Sequence, residues 1–286
     1  MKIRQNLHIH SAHSCDSACA TLADIQTEML KAGIKEFGVS DHFHTRYNMC
    51  DIESSRNDFL CDKRPKEFHF GIEATCMAKW ECENIAAGKF ERILDDPVYG
   101  LRYNDFDSSA DTSPWLDITA EDIKRLGIEY VIGGVHWPLN NKLDRDGLLE
   151  DAFKQHLYLI EHPLVDIIAH PWDGLAGWFK GVNNGQADYQ AVLQIPEKYN
   201  EKLVEALLKH DTCAELNLTA LTHTGYPEEV LKYMWRLFAS WREAGVKFTI
   251  GSDQHSAHAN EVMFSAGGLL LDHYGFTGEN FKYFFV

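Results

Sequence analysis

Six short apolar runs along this chain each end in a side chain that can bind a metal ion. The runs are rich in β-branched residues, which is typical of buried parallel strands. An imidazole or carboxylate is costly to bury without a partner, so several such groups at strand ends predict one shared polar centre. A site for several metal ions is the simplest such centre, because imidazole and carboxylate bind Zn, Mn and Fe. The candidate ligands are His8, His10, Asp16, His42, Glu73, His136, His170, Asp253 and His255.

The spacing within these runs supports a metal site. In His8-Ile9-His10 both imidazoles are expected on one face of a strand, because side chains alternate with a period of two. Glu73 is the one acidic residue of its apolar run, and its carboxylate, unlike an imidazole, can bridge two ions. Asp41 precedes His42 and is expected to hold the second nitrogen of that imidazole.

Strands and helices are predicted to alternate along the chain, which indicates an α/β protein with a parallel sheet covered by helices. Seven predicted strands suggest a barrel in a single domain spanning residues 1–286, with chemistry at the carboxyl ends of the strands, where the ligands fall. Long surface excursions are expected near 95–117 and 172–195. The strands are predicted near 6–10, 36–42, 68–76, 130–137, 165–171, 213–218 and 247–252. Helices are predicted near 22–32, 119–127, 148–161, 197–209 and 227–245.

The charge of the chain argues against some partners. A formal net charge of −16 over 286 residues repels nucleic-acid backbone and anionic membranes, so long nucleic acid is an unlikely ligand. A small phosphorylated substrate stays compatible, because bound cations can reverse the local field. The seven cysteines are odd in number and lack zinc-finger spacing, so they are interpreted as free thiols. With no apolar signal or membrane-spanning run, a cytoplasmic location is expected.

These runs resemble the motifs of the polymerase-and-histidinol-phosphatase family of metal phosphoesterases, and the resemblance extends over nearly the whole chain. The family implies a distorted (β/α)7 barrel that holds up to three divalent ions, Zn, Mn or Fe. The motifs that carry the resemblance are His8-Ile9-His10-Ser11, Ser40-Asp41-His42, Gly71-Ile72-Glu73, Gly134-Val135-His136, His170-Pro171 and Gly251-Ser252-Asp253-Gln254-His255.

The resemblance also implies how the ligands divide among the ions. One ion would be bound by His8, His10, Glu73 and Asp253. A second would share Glu73 and use His136 and His170. The third would use Asp16, His42 and His255. Members of the family carry either His or Asp at the position of Asp16, and His13 is a neighbour that could compete for the role.

The implied activity is hydrolysis of a small phosphomonoester, with histidinol phosphate as one candidate, by attack of a metal-bound hydroxide. Asp253 and His255 are the predicted catalytic residues, and either Asp253 or a metal-bound water would protonate the leaving alkoxide. The alternatives are a nucleotide phosphodiesterase or exonuclease, and a metal-binding domain without turnover. The oligomeric state stays open.

Substrate contacts are predicted from the loops that follow the strand ends. Phosphate sites commonly carry a cation beside the metal ions, and Arg46, Arg145 and Lys180 are the candidates. Aromatic rings could form an apolar wall for the rest of the substrate or could simply cover the barrel rim. The rings in question belong to Trp137, Trp172 and Trp178. The segment 215–217 ends the sixth strand and is interpreted as orienting substrate or the ligands, and His44 and His223 are the other histidines nearest the predicted mouth.

Overall fold

Seven parallel strands form a nearly closed barrel surrounded by helices, as predicted, in the part of the chain that the structure describes. The computed structural model describes residues 1–16, 19–89, 110–140, 143–222, 225–256, 258 and 260–285. The barrel strands, in their spatial order, are β1 (Gln5–Asn6), β2 (Glu36–Phe43), β3 (Phe68–Thr75), β6 (Tyr130–Gly134), β7 (Ile167–Ile168), β8 (Cys213–Asn217) and β9 (Phe248–Gly251). A separate antiparallel pair is formed by β4 (Met77–Ala78) and β5 (Pro114–Trp115).

The first and last strands bring the two edges of the sheet together. The N–H of Leu7 donates to the carbonyl of Ile250 at 3.0 Å, and Ile9 forms a parallel bridge with Gln254. Joining these edges places the carboxyl ends of all the strands around one ring, which is where side chains from distant parts of the chain can meet.

Helices cover the outside of the barrel. They are α1 (Leu22–Ala32), α2 (Met49–Cys61), α3 (Lys79–Ala86), α4 (Ala120–Leu126), α5 (Arg145–Glu161), α6 (Leu175–Trp178), α7 (Glu197–His210), α8 (Leu218–Leu221), α9 (Glu228–Glu243) and α10 (Glu261–His273). The predicted boundaries of α1 are confirmed, because the Thr21 hydroxyl accepts from the Asp24 N–H and Gly33 ends the helix in the left-handed conformation at φ 74°. No helix within these described residues is both long and apolar enough to cross a membrane.

Five helices within the described residues were not predicted from the sequence, namely α2, α3, α6, α8 and α10. Helix α2 buries only Ile52, Ser55 and Phe59, too sparse a pattern to stand out as an apolar stripe. Helix α10 contains Gly267 and Gly268, which have poor helix propensity. A Cβ on Gly268 would lie 2.2 Å from the carbonyl oxygen of Met1, so tertiary packing against the chain start accounts for this glycine.

The two predicted excursions have different outcomes. Residues 95–109 lie outside the described residues, and the end of that segment contributes β5. The segment 172–195 is not a structureless loop, because it contains α6 and two short 3₁₀ turns, Phe179–Gly181 and Ala191–Gln194. Strands six and seven of the prediction match β8 and β9, whereas the fifth, predicted near 165–171, shortens to β7.

Tyr130 fills the barrel interior on the side away from the ligands. Its hydroxyl lies 2.7 Å from the carbonyl oxygen of Leu7 and 3.1 Å from that of Val39, so it ties β6 to the first two strands. The ring lies over two glycines, since a Cβ on Gly38 would lie 2.1 Å from its oxygen and one on Gly71 2.4 Å from its Cζ. The apolar cluster around it contains Leu7, Ile132, Ile167, Ala169 and Cys213, with Phe284 and Phe285 packed against it.

Substitution Gly71→Ala is expected to destabilise the fold by about 1–3 kcal/mol, because the new methyl group overlaps the buried Tyr130 ring. The free energy of unfolding from urea titration measures this. Gly177→Ala is the matched control, because no described heavy atom lies within 4 Å of a Cβ built there. Equal stability of the two variants would contradict the packing role of the glycine.

Candidate metal centre

The fold brings all nine predicted ligands to the carboxyl ends of the barrel strands. His42 and Glu73 lie within β2 and β3 and are register partners, while the other ligands lie in the loops that follow strands. His170 and Asp253 have positive φ angles of 25° and 52°, so the chain leaves the pleat at these ligands. Non-glycine residues held in such conformations are strained and cluster at functional sites.

Glu73 stands at the middle of the cluster, with its side chain fully buried. Its Oε1 lies 2.9 Å from Nε2 of His136 and 3.2 Å from Nε2 of His170. Its Oε2 lies 2.9 Å from Nδ1 of His42 and 3.2 Å from Nε2 of His8. The two oxygens therefore face two separate sets of imidazoles, which is the arrangement required of a bridging carboxylate.

The donor atoms fall into groups within 4.8 Å of one another. Three of these groups are His8, His10 and Glu73; Glu73, His136 and His170; and His10, Asp16, His42 and His255. Asp253 adjoins the first group, with Oδ1 3.1 Å from Nε2 of His10 and 3.5 Å from Nε2 of His8. These groups can be compared with the ligand division that the family resemblance implies, and His10 belongs to two of them.

Several buried nitrogen and oxygen atoms of the cluster are placed to bind a cation rather than to form hydrogen bonds with one another. His42 Nδ1 and Glu73 Oε2 are 2.9 Å apart, yet neither has a hydrogen bond of acceptable geometry to a described residue. Asp16 Oδ1 is also buried without a hydrogen-bond partner in the described part of the chain. Buried polar atoms are rarely left unsatisfied, and lone pairs directed at a common point are satisfied by a metal ion. The nitrogen and oxygen donors fit Zn, Mn or Fe.

Charge interactions within the cluster are strong. Burial lowers the pKa of His42, but the carboxylates of Glu73 and Asp16 outweigh it and raise that pKa to about 10. Burial raises the pKa of Glu73, but the surrounding imidazoles, His136 foremost, hold it well below its usual range. Burial lowers the pKa of His136, and the carboxylate of Glu73 offsets only part of this effect. The centre thus keeps its carboxylates ionised, as metal ligation requires.

Glu215, on β8, contacts two of the predicted ligands. Its Oε1 lies 2.8 Å from Nδ1 of His8, and its Oε2 accepts the backbone N–H of His170 at 2.7 Å. A carboxylate on the second nitrogen fixes the tautomer and direction of a ligating imidazole. Asn217 adds a contact of 3.4 Å to Oδ2 of Asp253. The segment 215–217 therefore lies where it can orient the ligands, one of its two predicted roles.

The expected role of Asp41 is wrong. Its Oδ1 accepts the N–H of Ser11 at 2.6 Å, and its Oδ2 accepts the hydroxyls of Ser11 at 2.8 Å and Ser55 at 2.6 Å. Neighbouring residues of a strand point to opposite faces, so Asp41 cannot reach the imidazole of His42. Asp41 instead fastens the loop after β1 to β2 and α2.

His13 lies away from the position of Asp16. Its Nε2 is 3.2 Å from Oδ2 of Asp58, whereas Oδ2 of Asp16 is 3.0 Å from Nε2 of His42 and 2.5 Å from Nε2 of His255. Asp16 rather than His13 is thus the residue that the fold directs to the cluster.

Two of the three cations predicted to bind phosphate have other contacts. Arg46 lies 3.4 Å from Oδ1 of Asp117 and 3.5 Å from Oδ2 of Asp122. Arg145 pairs with Asp188, donates to Gln194 at 2.8 Å and stacks on the Phe179 ring at 4.4 Å. Lys180 is exposed.

The three tryptophans differ in their distance from the cluster. The Trp137 ring is 5.7 Å from that of His136, and the Trp178 indole donates to the His136 carbonyl at 3.0 Å. Trp172 is buried and donates to Asn200 at 3.0 Å, so it packs within the structure. His223 lies outside the described residues, whereas His44 is buried beside the cluster.

Solved structures with a similar fold include the following two. One is a histidinol phosphate phosphatase from Lactococcus lactis subsp. lactis Il1403, complexed with zinc, L-histidinol and phosphate. It aligns with a TM-score of 0.55 and 13% sequence identity, and the alignment covers 96% of this chain and 94% of that chain. The other is a putative histidinol phosphatase from Listeria monocytogenes. It aligns with a TM-score of 0.52 and 11% sequence identity, and the alignment covers 88% of this chain and 96% of that chain. No family model matches the sequence, and no curated protein matches it. At these identities the likeness shows a shared fold.

The metal-stripped protein is expected to lose stability as pH rises above 6.5, because the pKa values of His42 and His170 are raised to about 10 and about 9. A group whose pKa is raised in the folded state stabilises the fold fully at pH values below its unfolded-state pKa. This stabilisation is lost as the pH rises through the folded-state pKa. Urea unfolding between about pH 6 and about pH 9.5 measures the slope. Because Glu73 contributes to both raised values, Glu73→Gln should flatten the slope, and an unchanged slope would refute its electrostatic role.

Proposed function

We propose that this protein is a metal-dependent phosphoesterase that hydrolyses a small phosphomonoester. The observation that carries the proposal is the position of Glu73, whose two oxygens face separate imidazole sets at 2.9 Å each. Closely spaced ions on one bridging carboxylate suit phosphoryl transfer, because they stabilise both the attacking and the leaving oxygen. The fold shared with a phosphatase crystallised with zinc and phosphate supports the same reaction.

The chain's own residues would divide the work as follows. Zn, Mn or Fe ions, up to three, would supply Lewis acidity and lower the pKa of water when bound. The nine predicted ligands would hold them, with Glu215 fixing the direction of His8. Asp253 and His255 are the proposed catalytic residues, since their side chains are 26% and 40% exposed while His8 is fully buried, so they line the open side. They would contact the phosphoryl group and the leaving oxygen there.

The proposed substrate is small, and histidinol phosphate is the first ester to test. The net charge of −16 disfavours long polyanions, whereas ions in the centre attract a single phosphoryl group. Since Arg46 and Arg145 already face carboxylates, phosphate binding would depend mainly on the ions, and either arginine would have to leave its partner to join in.

We expect metal-dependent release of inorganic phosphate from at least one member of a panel of phosphomonoesters that includes histidinol phosphate and nucleotides. His136→Ala should reduce kcat/KM by at least about 100-fold, because it removes a ligand rather than a supporting contact. His273→Ala, at an exposed position of α10, is the control and should retain activity. No phosphate from any ester, with the ions bound, would overturn the phosphomonoesterase and shift the assignment to a diester or to metal binding alone.

Glu73→Gln is expected to reduce the number of ions retained after dialysis, because a neutral amide cannot replace a bridging carboxylate. Elemental analysis of the dialysed protein measures the ratio of metal to protein. Glu243→Gln, whose side chain is 71% exposed, is the matched control. The same ion content in both variants would show that Glu73 does not bridge.

A further inference from the structure

Thr75, the last residue of β3, joins two imidazoles through one hydroxyl group. Its Oγ1 lies 2.9 Å from Nδ1 of His136 and 2.8 Å from Nδ1 of His44. The second nitrogen of His44, Nε2, lies 3.1 Å from Sγ of Cys15. Thr75 and His44 are both buried, so water does not compete for these contacts.

The direction of these hydrogen bonds follows from the protonation of His136, which stands at one end of the series. His136 directs Nε2 towards Glu73, and a ligating nitrogen must offer a lone pair rather than a proton. A neutral His136 that ligates through Nε2 carries its proton on Nδ1, which therefore donates to Oγ1 of Thr75. Among the contacts of the described residues, the acceptor for the single proton of that hydroxyl is Nδ1 of His44, which leaves the His44 proton on Nε2, facing Cys15.

His44 could also be taken for a ligand, because it shares a group of potential donors with His42 and His136. Its nitrogens, however, already face Thr75 and Cys15 at 2.8 Å and 3.1 Å. Those partners are a hydroxyl and a thiol, whereas Nε2 of His136 and Nε2 of His42 face the carboxylates of Glu73 and Asp16. We therefore assign His44 to the support of a neighbouring ligand.

We propose that Thr75 and His44 are positioning residues that fix His136 in the tautomer with a free Nε2, so that this nitrogen is available to the ion shared with Glu73 and His170. The proposal rests on the metal centre proposed above. It adds two residues with no predicted role in ligation. It also assigns a donor to each hydrogen bond in the series that leads from His136 through Thr75 and His44 to Cys15.

The first test reads the protons directly. In the zinc-loaded protein labelled with ¹⁵N-histidine, two-bond ¹H–¹⁵N spectra report which ring nitrogen carries the proton. The expected result is His44 protonated at Nε2 and His136 protonated at Nδ1, with His44→Gln providing the assignment of the His44 signals. A zinc-loaded protein in which His44 carries its proton on Nδ1 would overturn the proposal.

The second test removes the hydroxyl. Thr75→Val keeps the shape of the side chain but cannot accept from His136, so one Zn²⁺ should bind about 10–100-fold more weakly. Competition with a chromophoric chelator measures this affinity. Thr75→Ser, which keeps the hydroxyl, should bind Zn²⁺ like the wild type, and circular dichroism checks that each variant is folded. If Thr75→Val does not fold, the proton positions in the wild-type spectra still decide whether the proposal holds.

The outcomes separate the two proposals. A wild type that takes up no zinc overturns both. A wild type that binds zinc and releases phosphate, together with an unweakened Thr75→Val, overturns the positioning role alone. A weakened valine variant with a wild-type-like serine variant and the expected tautomers supports it.

Discussion

The burial of Glu73 is the constraint on which the site depends. A fully buried carboxylate is tolerated only if surrounding groups compensate its charge, and here imidazoles from four other chain segments do so. The repulsion among those imidazoles is offset by the same carboxylate. The buried carboxylate and the surrounding imidazoles therefore stabilise each other. Metal ions between them would satisfy the buried atoms that have no hydrogen-bond partner among the described residues.

The barrel tolerates such a buried polar cluster because its interior is divided into an apolar half and a polar half. On the side away from the ligands, the Tyr130 ring packs over Gly38 and Gly71, and apolar side chains fill the remaining interior. On the ligand side, β1, β6, β7 and β9 end before their candidate ligands, and His170 and Asp253 leave the pleat with positive φ angles. A rigid apolar half thus positions a polar half whose backbone is free to turn side chains inward.

Supporting contacts are as specific as the cluster itself. Glu215 holds His8 and the backbone of His170, Asp41 fastens the loop after β1, and the hydroxyl of Thr75 joins His136 to His44. Each contact joins residues that are distant along the chain. The direction of the candidate ligands is therefore set by the packing of strands against one another and not by any one motif.

Much of the fold, and the meeting of the nine candidate ligands at one rim of the barrel, could be predicted from the sequence, for a physical reason. Alternating strand and helix signals and costly polar residues at the ends of apolar runs are local properties, so a barrel with ligands at one rim could be predicted. Helices α2 and α10 could not, because their stability comes from packing that sparse apolar residues and glycines do not reveal. Only the tertiary structure decided which imidazoles face each oxygen of Glu73, that Asp41 points away from His42, and that Thr75 joins His136 to His44. Those outcomes depend on register and strand closure, which bring together residues that no local pattern connects.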